Sequence, residues 1–262
     1  MVFNYNFYGG LVGSTEAKGQ KKGIGNIHSY LAEPYVSLGL ITYLNPLSVG
    51  PSSTTWQNSA SGAADWTRAS AGATYAAEFS GAFTNNGTIN AGWYMTVDNT
   101  VTNNFTYEIV CKPNTTITVH GQATSGITSS GNRDVIAPDN RGSSDAGSGL
   151  SVGTNGYAVR EHGNSYLPCL LSNSVTISST IPTHFIITYV NKQPSCYING
   201  VFNKTGLTST RTAVRNSGTR IGYGDYGSFS GTYYYFRAYN RVLTTDEILL
   251  NYNGVKSFYG IA

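Results

Sequence analysis

The sequence predicts an all-β fold in which two antiparallel sheets pack face to face, with one short helix near the C-terminus. Three observations carry this prediction. Charged residues make up only 11% of the 262 residues, whereas 31 glycines and 20 tyrosines favour strands and tight turns over helices. Several segments alternate between apolar and polar residues with the period of a strand. One capping-box motif marks the start of a helix.

The clearest strands lie in the middle of the chain and in its C-terminal half. Residues 105–111 alternate, so that the four odd-numbered side chains share one face and Glu108 lies on the other, where we expect solvent. Residues 184–190 and 195–198 form a predicted hairpin, and the Asn199-Gly200 pair after it favours a type I′ turn into a further strand.

Two further segments complete the predicted sandwich. A strand over residues 232–239 has Arg237 on its outer face, which places Tyr234, Phe236 and Ala238 inward. Residues 121–156 are rich in Ser, Gly, Asn and Asp, and we expect long surface loops around short strands there.

The helix is predicted from its N-terminal signals. Residues 244–247 (Thr-Thr-Asp-Glu) form a capping box, and Leu243 and Ile248 are placed to make the accompanying hydrophobic staple. We expect the helix to cover about residues 245–253 and to end at Gly254, a residue type that suits the C′ position.

The N-terminal residues 1–36 differ from the rest of the chain, because they are rich in glycine and keep no helix or strand period. We predict an assembly arm here, followed by the sandwich at 37–262. Its apolar contacts with a neighbouring protein would come from four aromatic side chains, Phe3, Tyr5, Phe7 and Tyr8. The alternative is an added edge strand that wraps its own sandwich.

Charge and cysteine content limit the possible partners and compartments. The formal net charge of +3 is too weak to indicate nucleic acid, and a loose group at Arg211, Arg215 and Arg220 is interpreted as a solvated surface. An odd number of cysteines without paired spacing favours folding in a reducing compartment. The N-terminus has no signal-peptide pattern and no apolar run reaches membrane-spanning length, so we expect synthesis in the cytoplasm and no membrane contact.

The order of several motifs resembles the concanavalin A-like, laminin G-like jelly-roll family, in the form found in viral and phage structural proteins. The motifs that carry the resemblance, which covers about residues 38–258, are the apolar strand 40–44 with Thr54-Thr55-Trp56, the strand ending in Lys112-Pro113, Tyr197-Ile198-Asn199-Gly200, Arg220-Ile221-Gly222, the run 237–244 and the pair Glu247-Ile248.

The resemblance implies a two-sheet jelly-roll sandwich and a non-enzymatic virion structural protein, such as a capsid decoration, fibre or tail component. Its partners would then be other virion proteins, in a homo-oligomer or a larger assembly, and its location the virion. The alternative is a carbohydrate-binding adhesin or receptor-binding module that contacts surface glycans. A glycan-cleaving enzyme is the third possibility, since hydrolases share this architecture.

Catalytic residues are not expected. Glycoside hydrolysis needs two carboxyl groups close together, and no strand carries acids at alternate positions. The histidines are scattered through the sequence with neither metal-ligand spacing nor an evident nucleophile as partner: His28, His120, His162 and His184.

Two kinds of binding site remain possible. Asp139, Asp145 and Asp225 lie in turn-rich segments and could bind Ca²⁺, although turn formation is the favoured explanation of these residues. Sugar binding would use exposed aromatic side chains on loops, and core or interface packing explains the same residues equally well. The candidates are Trp93, Tyr94, Tyr223, Tyr226 and Phe229.

Overall fold

The computed structural model describes these residues: 34–45, 49–60, 62–69, 73–88, 92–95, 101–123, 126–127, 131, 133–216, 220–222, 224 and 226–261. They form two sheets, antiparallel except for one parallel strand pair, and one C-terminal helix, so the predicted fold class is confirmed.

The first sheet has eight strands in the order β14-β13-β12-β7-β17-β5-β4, and β1 also pairs with β17. The strand bounds are β1 Leu40–Leu44, β4 Thr74–Ala76, β5 Ala82–Asn86, β7 Phe105–Pro113, β12 Thr183–Val190, β13 Gln193–Ile198, β14 Val201–Thr205 and β17 Ser230–Tyr239. The helix α1, Thr245–Lys256, packs on the outer face of this sheet.

The second sheet has nine strands in the order β11-β10-β9-β8-β16-β6-β3-β2, and β15 pairs in parallel with β9. The strand bounds are β2 Thr55–Trp56, β3 Trp66–Arg68, β6 Trp93–Tyr94, β8 Asp134–Ile136, β9 Asp145–Gly153, β10 Gly156–His162, β11 Cys169–Asn173, β15 Ala213–Asn216 and β16 Arg220–Ile221.

The main core lies between the two sheets. Three fully buried tryptophans, Trp56, Trp66 and Trp93, pack there beside the odd-numbered side chains of β7, so the predicted inward face of that strand is confirmed. The three cysteines are buried and unpaired. A buried thiol of this kind behaves as a small apolar side chain, and burial raises the pKa of Cys196 to about 12.

The prediction for residues 121–156 is wrong at β9, which is a nine-residue strand buried along nearly its whole length. Close packing explains why this strand contains glycine. A Cβ added at Gly149 would lie 2.4 Å from Pro138 Cδ and 2.5 Å from the Ile136 carbonyl oxygen, so only glycine lets the chain after β8 lie against this strand.

The prediction for β17 is partly wrong. Phe236 and Ala238 face the main core as expected, but a register irregularity between Tyr233 and Tyr235 places Tyr234 in a second cluster with residues of α1 and the C-terminal segment. Arg237 does not face solvent: only 3% of its surface is exposed, because α1 and the segment before β1 cover this face of the sheet.

Glu108 corrects the prediction of a solvent-facing acid, since it is fully buried at the centre of a polar network. Its Oε1 accepts from Tyr235 and lies 3.0 Å from His184 Nε2 and 3.2 Å from Arg237 Nη1, while Oε2 accepts from Asn251 Nδ2 at 2.6 Å. Burial opposes ionisation, but the Arg237 charge and the hydrogen bonds outweigh it and lower the pKa of Glu108 to about 2. The network joins α1 to the sheet.

The capping box and the hydrophobic staple of α1 are confirmed. The predicted end at Gly254 is wrong, since the helix continues to Lys256. Gly254 is needed inside the helix because a Cβ there would lie 2.4 Å from the Pro34 carbonyl oxygen. The N–H of Val36 also donates to Asn251 Oδ1 at 2.8 Å, so residues 34–36 pack against the helix.

Residues 1–33, including the four aromatic side chains of the predicted arm (Phe3, Tyr5, Phe7 and Tyr8), lie outside the described residues. Their role as an assembly arm stays a prediction. Among the residues that are described, α1 is too short and too polar to cross a membrane.

Candidate functional site

Several loops that are distant in sequence meet at the end of the sandwich where β9 begins and β10 ends. We call this end the arginine rim, after four arginines of its loops and edge strands: Arg141, Arg211, Arg215 and Arg220. The N–H of Arg141 donates to the His162 carbonyl, the Arg211 side chain reaches the carbonyls of Ser143 and Asn164, and Arg215 in β15 stands beside Gly147 of β9.

Two aspartates hold three of the four guanidinium groups. Asp139 lies between Arg141, with Nη2 at 3.1 Å from Oδ2, and Arg220, with Nε at 3.3 Å from Oδ1. Asp145 accepts from Arg215 Nη2 at 2.6 Å and from its Nε at 2.9 Å.

These two aspartates are the described members of the predicted calcium site, and both are engaged with arginine. Within the described part of the chain, no group of three or more His, Cys, Asp or Glu side chains is arranged to hold a metal ion. Asp225, the third predicted ligand, lies outside that part.

Arg211 is held differently from the other rim arginines. Its guanidinium stacks on the Tyr166 ring, 4.1 Å from the centroid, and donates to the main-chain carbonyls of Ser143 and Asn164. No described carboxylate lies within ion-pair distance of it. Its charge is therefore fixed in position, and no acid in the described part of the chain neutralises it.

A buried acid lies beneath this stack. Tyr166 and Ser209 donate to Glu161 Oε2, at 3.1 Å and 2.5 Å, and Tyr189 donates to Oε1 at 3.4 Å. Burial raises the pKa of Glu161 to about 7, although the three hydroxyl groups and the charge of Lys192 act in the opposite direction. Because Glu161 is fully buried, a ligand at the rim would not touch it.

Two of the predicted aromatic residues lie at the rim. Tyr226 is half-buried and stands edge-on to His162, with 5.3 Å between the ring centroids. Tyr94 is also half-buried and is the strand partner of Arg220. Tyr94 is thus adjacent to Arg220, and Tyr226 is adjacent to His162, whose carbonyl accepts from the N–H of Arg141.

The other aromatic candidates are not available to a ligand or are not described. Trp93 and Phe229 are fully buried in the main core, so the expectation that their rings stack on a sugar is wrong and the core-packing alternative holds for them. Tyr223 lies outside the described residues.

Sequence reasoning missed the roles of Arg211, Tyr166 and Glu161. The three arginines between residues 211 and 220 were a signal of a basic surface in this region, but the sequence alone favoured the interpretation that this surface is merely solvated. The contact between Arg211 and Tyr166 joins two loops that only the folded sheet brings together.

A cleft lies at the end of the sandwich opposite the arginine rim, where β12 begins. It is a cleft of about 370 Å³ between the connection from β11 to β12 and the turn from β13 to β14. Its described lining is uncharged and includes the amides of Asn199 and Asn203 and the aliphatic side chains of Ile181 and Ile198.

No protein-family model matches the chain, and no curated protein sequence matches it. Solved structures do match. The binding domain of Paraclostridial mosquitocidal protein 1 is 16% identical with a TM-score of 0.60, over 85% of this chain and 55% of the other. Domain 4 of AbnA, a GH43 extracellular arabinanase from Geobacillus stearothermophilus, in complex with arabinotriose, is 16% identical with a TM-score of 0.51, over 80% and 96%.

The Trypanosoma rangeli sialidase in complex with the inhibitor DANA is 18% identical with a TM-score of 0.56, over 84% of this chain and 33% of the sialidase. The chain therefore spans about half of the mosquitocidal structure and a third of the sialidase, but nearly the whole arabinanase domain. At these identities the likeness concerns the fold: the chain is a two-sheet β-sandwich of the kind found in binding domains and in domains of glycan-cleaving enzymes.

Proposed function

We propose that the chain is a non-enzymatic carbohydrate-binding module and that the arginine rim is the surface that contacts the glycan. The observation that carries the proposal is the arrangement of planar groups at the rim, with Arg211 stacked on Tyr166 and with Tyr226 beside His162. Tyrosine and arginine both combine a flat face with hydrogen-bonding atoms at the edge, which suits a sugar ring with its apolar face and its hydroxyl groups.

The structural comparisons support a binding role. One similar structure is described as a binding domain, and another was solved with arabinotriose. They favour the carbohydrate-binding or receptor-binding alternative over a purely structural role. A place in a virion, with other virion proteins as partners, stays a prediction from the sequence resemblance, and a particle component that contacts surface glycans would combine both roles.

The environment of Glu161 supports binding without cleavage. An acid with a pKa near neutrality is what glycoside hydrolysis requires of its general acid, but that acid must reach the glycosidic oxygen and act with a second carboxyl group. Glu161 is fully buried, and its hydrogen-bond partners are hydroxyl groups instead of a carboxyl group.

A glycan array probed with the purified chain tests the proposal. We expect binding to a defined set of glycans, reduced by Tyr226→Ala at the rim and unchanged by Phe202→Ala. Phe202 is a matched control, since it is 55% exposed and lies on β14 near the turn at the opposite end. Absence of binding to every glycan, or turnover of a bound oligosaccharide, would refute the proposal.

A further inference from the structure

The described rim carries more positive than negative charge. Its cationic side chains are Arg141, Lys192, Arg211, Arg215 and Arg220. The acids that accompany them are Asp139, Asp145 and the buried Glu161. The excess is local, because the formal charge of the whole chain is only +3. A concentrated positive potential at one end of a module favours an anionic ligand at that end.

Ion pairing divides these cations into two kinds. Arg141 and Arg220 share one carboxylate and Arg215 has its own, so most of their charge is compensated within the protein. Among the described residues, the Arg211 side chain donates to carbonyl oxygens alone, which carry partial charges. It is the rim arginine with the most charge left for a partner from outside.

The Arg211 guanidinium is also preorganised. The Tyr166 ring supports one of its faces, and the Tyr166 hydroxyl is in turn fixed by its bond to Glu161. Lys192 Nζ donates to the Arg211 carbonyl at 2.8 Å, which holds the main chain of this residue and brings a second positive charge close by. A ligand therefore meets a guanidinium that loses little side-chain entropy on binding.

Donor atoms remain on this group. Nη1 and Nη2 each carry two hydrogens, and the contacts with the Ser143 and Asn164 carbonyls use one on each nitrogen. Each of these nitrogens can thus donate one further charge-assisted hydrogen bond to an oxygen of a carboxylate or a sulfate.

We propose that the arginine rim selects acidic sugars and that Arg211 binds their anionic group, a carboxylate or a sulfate. This inference rests on the proposed carbohydrate-binding function and goes further by naming the class of glycan and the residue that recognises it. Neutral sugars of the same size would meet the same tyrosines but would leave the Arg211 charge unpaired.

The test is titration calorimetry of the full chain with matched ligands: sialyllactose, lactose sulfate, trigalacturonic acid and, as neutral parents, lactose and galactotriose. We expect at least one acidic ligand to bind about 10-fold more tightly than its neutral parent, the usual scale for one charge-assisted contact. Raising the ionic strength from about 50 to about 300 mM should remove most of that difference.

Variants identify the residue. Arg211→Gln should lower affinity for the acidic ligand to the level of its neutral parent, and Arg211→Lys, which keeps the charge but loses the fork, should give an intermediate value. Lys256→Gln, on α1, removes the same charge far from the rim and should leave affinity within about 2-fold. Circular dichroism spectra that match the unaltered chain would show that the variants are folded.

The outcomes separate the two proposals. Equal or tighter binding of neutral parents, or acidic binding that Arg211→Gln and Arg211→Lys do not change, would overturn the acidic-sugar inference and leave the carbohydrate-binding function standing. Failure to bind any of these ligands or any glycan on the array would overturn both.

Discussion

Replacing Glu108 by glutamine should destabilise the fold by about 3 kcal/mol near neutral pH. The pKa of Glu108 is lowered from 4.5 to about 2 by Arg237, His184 and Tyr235 in the folded chain. At about 1.4 kcal/mol per pKa unit, the ionised carboxylate contributes about 3 kcal/mol. Glutamine keeps the shape but leaves Arg237 buried without its counter-charge, which carries a cost of similar size.

The pH dependence has a definite sign. Because folding lowers the pKa of Glu108, its contribution is fully present above pH 4.5 and is lost as the pH falls toward 2. The unaltered chain should therefore lose about 3 kcal/mol more than Glu108→Gln across this window.

Urea denaturation followed by circular dichroism measures both effects. Glu78→Gln is the control, since Glu78 pairs with Lys112 but 36% of its side chain is exposed, and it should cost less than about 1 kcal/mol. The double change of Glu108→Gln and Arg237→Met should cost less than the sum of the single changes. The reasoning is refuted if Glu108→Gln unfolds at the same urea concentration as Glu78→Gln.

Three further predictions concern other parts of the chain. Folding raises the pKa of Glu161 to about 7, so protonated Glu161 stabilises the fold at low pH. As the pH rises from 4.5 to 7, the free energy of unfolding of the unaltered chain should therefore fall by about 3 kcal/mol relative to that of Glu161→Gln. Urea denaturation that gives the same change with pH for both proteins would contradict this. Gly254→Ala should destabilise by about 1–3 kcal/mol through its contact with Pro34, whereas the exposed Asn253→Ala in the same helix should be neutral or slightly stabilising; a stabilised Gly254→Ala would show that the contact can relax. Deleting residues 2–33 should shift the melting temperature by less than about 4 °C. In sedimentation velocity we expect the full chain to be an oligomer and the deletion variant to be a monomer. A full chain that is already monomeric would contradict the assembly-arm prediction.

Local patterns determined what could be predicted. The alternation of β7 identified its inward face, Asn199-Gly200 identified the turn before β14, and the capping box located the start of α1. Each of these signals depends on residues within about one strand or one helical turn of one another.

Long-range contacts determined what could not be predicted. Glu108 is buried because its partners stand 76 positions away at His184 and 143 away at Asn251, and they meet only when strands and helix assemble. The glycines of β9 were interpreted as loop residues, because a local sequence pattern does not show that residues 136–138 pack against Gly149. Arg211 was interpreted as a solvated surface cation because Tyr166, on which its guanidinium stacks, is distant in sequence.

The most direct test of the account is a crystal structure of the full chain with the tightest-binding acidic glycan from the titrations. We predict that the glycan lies on the arginine rim, with its anionic group within hydrogen-bonding distance of the Arg211 guanidinium and a sugar ring near Tyr226. A glycan in the cleft lined by Asn199 and Asn203 at the other end of the sandwich, with the rim empty, would contradict it.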